Sequence, residues 1–311
     1  MRVACTGLGR SLALGLVAIA IGACGGDAGG DADAAPPLAN PGFALPTAVT
    51  RANVDEHEVG DADWSCLGTP GADQARTAEL ILGGKVMELG GISPKPIPAV
   101  TLAAFPGTDF DATFATAMSD AEGAFAGLAI PVGQVRVGFK LTGTEIMDTL
   151  LLNQYWEPAA TTFTQEIGAV TVALSNALPT FINFTRKPGT GVLAGAMRDC
   201  QHREVSNAIA TVSATSGRAD HVDGANTFYF DAAGGLPAIH EIEADTSADG
   251  RFVVFDLPAT STPNFIQVWG FPTAGDLAAG EAGLKLLAEL PSPVLADTII
   301  TGSIEPLRTA P

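Results

Sequence analysis

Basic residues are scarce in this chain. The sequence holds 16 lysines and arginines against 34 aspartates and glutamates, which gives a formal net charge of −18 at pH 7. A surface of this sign repels phosphate groups, so nucleic acid and anionic lipid surfaces are poor partners. Solubility of an exported protein accounts for the acidity without a specific acidic binding role.

Long apolar runs are also missing. The run from residue 12 to 23 is too short to cross a hydrocarbon core of ~30 Å, which needs roughly 20 helical residues. Arg2 and Arg10 precede it, and this order is typical of a secretory signal peptide. We therefore predict a signal peptide over residues 1–23 and no transmembrane helix in the mature protein.

The end of this run is Ile21-Gly22-Ala23-Cys24, which resembles the lipobox of bacterial lipoproteins. The resemblance implies that Cys24 carries acyl chains, that the protein is anchored to the membrane of the bacterial cell envelope, and that Gly25 directs it to the outer membrane. Two or more acyl chains suffice for stable anchoring. Ordinary signal-peptide cleavage near Ala23 is the alternative.

Cysteine is rare, with four residues in the whole chain. Cys5 would leave with the signal peptide and Cys24 would carry lipid, so Cys66 and Cys200 remain. In an oxidising compartment two such thiols are expected to form a disulfide, although two buried free thiols remain the alternative. Two cysteines alone do not make a zinc site, and no metal or other cofactor is predicted.

The mature chain divides into four further segments. Residues 24–46 are rich in Gly, Asp, Ala and Pro, which predicts a lipidated flexible tether with a span of roughly 25 Å. Residues 47–78 are acidic and are predicted to be an irregular strap. Residues 79–186 and 191–308 contain short apolar runs separated by Gly, Pro, Asp and Asn, which is typical of antiparallel β-sandwiches.

The predicted fold is all-β, with two tandem antiparallel β-sandwich modules and one short helix between them. Strand alternation is clearest at Val135, Val137 and Phe139, and a strand is also predicted over residues 239–244. The apolar spacing from Leu174 to Ile182 is helical, with Ser175 as a candidate N-cap.

A weak internal repeat supports two modules. The segment Ser119–Phe125 has a counterpart in Thr246–Phe252, each an acidic turn closed by glycine, with phenylalanine two residues after the glycine. The turns Glu122-Gly123 and Asp249-Gly250 predict hairpins because glycine reaches positive φ without a Cβ clash. The order of these motifs resembles the carboxypeptidase regulatory-like (transthyretin-like) family, which has a carbohydrate-binding-like fold. That resemblance implies the sandwich fold rather than a particular function.

Candidate catalytic and metal-binding patterns are weak. Asp245, Ser247, Asp249, Gly250 and Asp256 superficially match a calcium loop, but no flanking helices are predicted and a hairpin explains the same residues. The four histidines, His57, His202, His221 and His240, fit no catalytic motif. We therefore predict no enzyme, although a hydrolase assembled from distant residues is an open alternative.

Tyr155 and Trp156 are the candidate ligand-binding residues. They follow a predicted strand and precede Pro158, so their rings could lie at a loop tip and stack on sugars. The alternative is that they close one end of the first module. The leading hypothesis is a non-catalytic, membrane-anchored lipoprotein that acts as a spacer or interaction module, with an envelope protein or a glycan as its partner.

Overall fold

The structure is a computed structural model that describes residues 44–71, 73–89, 94–231 and 235–309, apart from the side chain of Ser303. The predicted signal peptide, Cys24 and nearly all of the predicted tether lie outside these residues.

Short strands dominate the described chain, which confirms the all-β prediction. In chain order they are β1 (Arg51–Val54), β2 (His57–Asp61), β3 (Leu80–Glu88), β4 (Thr101–Pro106), β5 (Ala115–Met118), β6 (Ala124–Ile130), β7 (Val137–Thr142), β8 (Asp148–Gln154), β9 (Thr162–Ala169), β10 (Thr190–Met197), β11 (Glu204–Ser206), β12 (Ala208–Ser213), β13 (Asn226–Phe230), β14 (Pro237–Ala238), β15 (Arg251–Pro258), β16 (Thr260–Gly270), β17 (Lys285–Val294) and β18 (Thr298–Ile304). The helices are α1 (Val172–Ala177) and α2 (Ala274–Ala278), each followed by a 3-10 helix, Leu178–Ile182 and Gly280–Gly283.

The first half of the chain forms a two-sheet sandwich. Strand β3 pairs antiparallel with β6 and parallel with β9, while β4 pairs with β5 and β7, and β7 pairs with β8. Alternate residues of the two sheets point inward and form one buried cluster that includes Leu82, Leu128 and Phe139. Burial of such side chains contributes about 1.5–3 kcal/mol each, which holds the sheets together.

The second half repeats these pairings. Strand β10 pairs antiparallel with β15 and parallel with β18, while β16 pairs with both β12 and β17. Each half also carries the same hydroxyl bridge. The Ser119 Oγ donates to the Ile97 carbonyl and accepts from Val100 N, and the Thr246 Oγ1 does the same with Val205 and Ala208. Strands β13 and β14 are additional to this repeated pattern.

Strand β18 joins the two halves. It pairs parallel with β10 of the second half on one side and parallel with β8 of the first half on the other. The result is a continuous sheet in the order β14-β13-β15-β10-β18-β8-β7-β4-β5. Phe105, Leu150 and Leu152 of the first half lie in the same buried cluster as the core of the second half. The two sandwiches therefore share a sheet and a core.

Helix α1 has a different N-cap from the one predicted. Thr171, rather than Ser175, accepts a hydrogen bond from Leu174 N, and the Ser175 hydroxyl donates instead to the Val172 carbonyl. The following 3-10 helix contains Pro179 near its start, where its missing N–H costs no hydrogen bond. Ile182 belongs to a small buried cluster with Val253 and Phe255 of β15.

Two predicted segments differ from the structure. The strap over residues 47–78 is not irregular throughout, because β1 and β2 form a hairpin and β1 pairs with β11. Residues 239–244 are not a strand, since Ile242 N and Glu243 N both donate to the Ile239 carbonyl and form a turn. In the strap, pairing with the distant strand β11 decides the local structure, whereas residues 239–244 form hydrogen bonds within their own turn.

Candidate functional site

Cys66 and Cys200 form a disulfide in the structure, with Cα atoms 5.8 Å apart and 134 residues between them in sequence. The bond joins the strap to the loop between β10 and β11. Asp63 makes a second link, because its carbonyl accepts from Cys200 N and its N–H donates to Asp199 Oδ2. This crosslink fixes the strap against the second sandwich.

Asp199 organises the loop beside the disulfide. Its buried carboxylate accepts hydrogen bonds from Gln201 N, Arg203 N and the Arg203 guanidinium. Burial alone would raise the pKa of Asp199, but these bonds and the one from Asp63 N together lower it below the ordinary value. Asp199 therefore remains ionised and holds the crosslinked loop in shape.

The aromatic pair Tyr155 and Trp156 does not form an exposed platform. The Trp156 ring is buried, packs edge-on against Phe139 and Phe163, and its Nε1 donates to Gln165 Oε1. The Arg136 guanidinium lies over the Tyr155 ring at 5.0 Å from the centroid. The Trp156 ring is thus not available for sugar stacking, and one face of the half-buried Tyr155 ring is covered by Arg136.

Arg136 contacts three separate segments of the chain. It forms ion pairs with Asp73 of the strap at 2.6 Å and with Glu305 after β18 at 2.8 Å, and it donates to the Asn153 carbonyl. Arg76 is buried nearby and donates to the carbonyls of Ala78, Glu157 and Ala160. The environment of Tyr155 and Trp156 is therefore a structural junction.

An inserted part of the second sandwich, without a counterpart in the first, lies between β12 and the turn that begins at Thr246, over residues 217–231 and 235–245. Four large apolar side chains are exposed here or on the adjoining 3-10 helix, which lies against β14: Phe181, Leu236, Ile239 and Ile242, the last with 67% of its surface exposed. We call these four residues the insertion patch. The predicted strand over residues 239–244 did not indicate this exposed surface.

The backbone under the insertion patch is well anchored. The His240 ring stacks on Phe228 at 5.4 Å, and Phe228 lies in turn against Phe184 and Phe255. Asp231 N donates to the Leu236 carbonyl across the turn. Ile239 and Ile242 thus lie in a turn that is hydrogen-bonded through the Ile239 carbonyl.

Several carboxyl groups lie close to the insertion patch in sequence. Burial raises the pKa of Glu243, and repulsion from Asp231, Asp245 and Asp249 raises it further. Burial raises the pKa of Asp245 to about 6, and burial also raises that of Asp249, which has Arg251 Nη1 at 3.7 Å. Glu243 therefore lies close to three other carboxyl groups.

We expect Asp245 to lower the stability of the fold as the pH rises from about 4 to about 6, whereas His221 acts in the opposite direction, because its lowered pKa means that the unfolded state binds the proton more tightly. The folded-state pKa of Asp245 exceeds its ordinary value, so the folded state binds the proton more tightly and stability falls as the pH rises from about 4 to about 6. Solvent screening reduces the contribution of Asp245 to about 1 kcal/mol. In urea unfolding across this range, Asp245→Asn should gain stability relative to the wild type as the pH rises, whereas Asp111→Asn, an exposed control, should keep a constant difference from the wild type.

The calcium-like pattern does not converge. Asp249 lies at the start of β15, whereas Asp256 lies near its other end and accepts from Lys187 N. Within the described ranges, no group of three or more His, Cys, Asp or Glu side chains is arranged to hold a metal ion.

Ser213, Asp220 and His221 are close together but do not form a catalytic triad. The Ser213 hydroxyl donates to Asp220 and to the Thr215 carbonyl, not to an imidazole. His221 Nδ1 accepts from Val212 N, and burial lowers its pKa to about 4. Because His221 Nδ1 already accepts this backbone hydrogen bond, that nitrogen is not available as a base to activate a nucleophile.

Comparisons with known proteins do not assign the chain to a family. No protein-family profile and no curated protein sequence matches the chain. Among solved structures, it is similar to the shaft pilin SpaA of Lactobacillus rhamnosus GG, with 12% identity, a TM-score of 0.21, and coverage of 76% of this chain and 100% of the pilin.

Two further structures match at the same level. A DUF3823 family protein from Parabacteroides merdae has 12% identity and a TM-score of 0.20, covering 70% of this chain and 98% of that protein. The minor pilin GBS52 of Streptococcus agalactiae also has 12% identity and a TM-score of 0.20, covering 76% and 97%. Scores this low carry no argument, and the all-β assignment rests on the observed strands.

The structure also bears on how the chain could meet a membrane. In the part of the chain that the structure describes, no helix is both long and apolar enough to cross a bilayer.

Proposed function

We propose that the chain is a non-catalytic lipoprotein of the bacterial cell envelope, held to a membrane by acylated Cys24, with the double sandwich as a rigid spacer and interaction module. The observation that carries the proposal is the pairing of Cys66 with Cys200. Structural disulfides persist in oxidising, exported compartments. Export supports the interpretation of residues 1–23 as a signal peptide and of Cys24 as the lipid attachment point.

A spacer role is supported by how the double sandwich is built. Strand β18 continues one sheet across both halves, and Arg136 bridges the strap and the segment after β18. Because the halves share a core as well as a sheet, movement between them would break buried contacts. A rigid body on a flexible tether is suited to presenting a surface away from the bilayer.

Mass spectrometry of the mature protein tests the lipid anchor. We expect an N-terminal peptide that begins at Cys24 and carries the mass of two or three acyl chains, and we expect detergent to be needed to extract the protein from the membrane fraction. The Cys24→Ala variant should lose both properties, whereas Gly26→Ala, a matched control two residues away, should keep them. An unmodified N-terminus on a protein that stays in the aqueous fraction would disprove the anchor.

A further inference from the structure

We propose that the insertion patch, Phe181, Leu236, Ile239 and Ile242, is a docking surface for a cationic amphipathic segment of a partner protein. Leu236, Ile239 and Ile242 belong to a part of the second sandwich that has no counterpart in the first, so the repeated β-pairing does not require them, and Phe181 lies on the 3-10 helix against β14. Phe181 and Ile242 expose more than half of their surface, 56% and 67%, and exposed apolar side chains that lie together mark interaction sites.

The charges around the patch indicate the kind of partner. Glu241 and Glu243 flank Ile242 in sequence, and Asp245 follows two residues after Glu243. Arg251 lies near this acidic segment, but it is engaged with Asp249 and Glu56. A segment with apolar residues on one face and Lys or Arg on its flanks would bury the patch and neutralise these carboxylates.

Other occupants fit the same surface less well. Anionic lipid headgroups would be repelled by the carboxylates around the patch. The predicted tether carries Asp27, Asp31 and Asp33, and residues 24–43 contain no basic residue, so it has the wrong charge to cover the surface. A second copy of the chain brings a net charge of −18.

Fluorescence anisotropy tests the proposal with a labelled 18-residue Leu/Lys amphipathic peptide as the probe. The protein is the chain from residue 24 onward with Cys24→Ser, so the result does not depend on the lipid anchor. We expect Ile242→Ser to weaken binding by about tenfold, because an exposed apolar anchor is lost. Glu243→Gln should also weaken binding and reduce its dependence on salt.

Matched controls lie in the first sandwich. Met118→Ser removes an apolar side chain that is also 67% exposed, and Glu122→Gln removes an exposed carboxylate. Neither should change peptide affinity, whereas equal effects of Met118→Ser and Ile242→Ser would show non-specific attraction and overturn the proposal. Sensitivity of phosphatidylcholine vesicle binding, but not of peptide binding, to Ile242→Ser would assign the patch to lipid and would also overturn it.

Discussion

The Gly250→Val variant is expected to lose about 2–4 kcal/mol of stability. Gly250 has a φ of +66°, which a β-branched residue rarely adopts. An added Cβ would lie 2.9 Å from the Met197 carbonyl oxygen and 3.1 Å from Val205 N, and both are backbone atoms. Differential scanning calorimetry should therefore show a Tm lower by roughly 6–12 °C.

Gly217 offers the matched control for this prediction. Its φ is +70°, but an added Cβ would meet no atom within 4 Å. Gly217→Val should therefore show only the cost of backbone strain, about 1 kcal/mol. If the two variants melted at the same temperature, close packing around the Gly250 hairpin would not contribute to stability, and the role we assign to that turn would be wrong.

Removing the disulfide is expected to have a similarly large effect. The bond closes a loop between residues 134 apart, and in the chain-entropy model such a crosslink contributes up to about 5 kcal/mol, often less in practice. We expect Cys66→Ser/Cys200→Ser to lower the free energy of unfolding by about 2–5 kcal/mol in a urea titration. The loss should be accompanied by faster amide exchange in β1 and β2, which the crosslink holds near β11.

The reducing agent dithiothreitol supplies an internal control for this result. It should destabilise the wild type to the level of the double variant and should leave the double variant unchanged. A wild type that resists dithiothreitol while the double variant is unstable would show that the serine side chains, rather than the missing bond, cause the loss.

The hairpin turns were predictable because their chemistry is local. Both Gly123 and Gly250 have positive φ, as an acidic-Gly turn requires, and Phe125 and Phe252 are buried in the two cores. Strands with inward-facing alternation, such as β7, were predictable for the same reason. Their sequence carries the signal of a half-buried surface without reference to distant partners.

Strands that depend on distant partners were not predictable. Strand β9 reads Thr-Phe-Thr-Gln-Glu-Ile-Gly-Ala and is largely exposed over its first half, because it pairs on one side with β3 only. Strand β2 is exposed or half-exposed throughout. Its hairpin partner β1 pairs on the other side with β11, which lies about 150 residues later in the chain. Local alternation carries no information about such pairings.

The candidate site shows the same division. Pairing of Cys66 with Cys200 followed from counting cysteines, because only these two remain after the signal peptide and the lipid attachment are set aside. The burial of Trp156 did not follow from the sequence, because it is produced by Phe139 and Phe163, which lie on separate strands. The insertion patch was missed because the same apolar spacing suits a buried strand and an exposed turn.

The position of β18 has a consequence for how the protein is made. Strand β18 is the last strand of the described residues, yet it supplies hydrogen bonds to both β8 and β10. A polypeptide synthesised from its N-terminus therefore completes β8 and β10 before the strand that pairs with both. Until β18 is in place one edge of β8 and one edge of β10 are unpaired, and we expect a truncation before residue 298 to leave both edges open to aggregation.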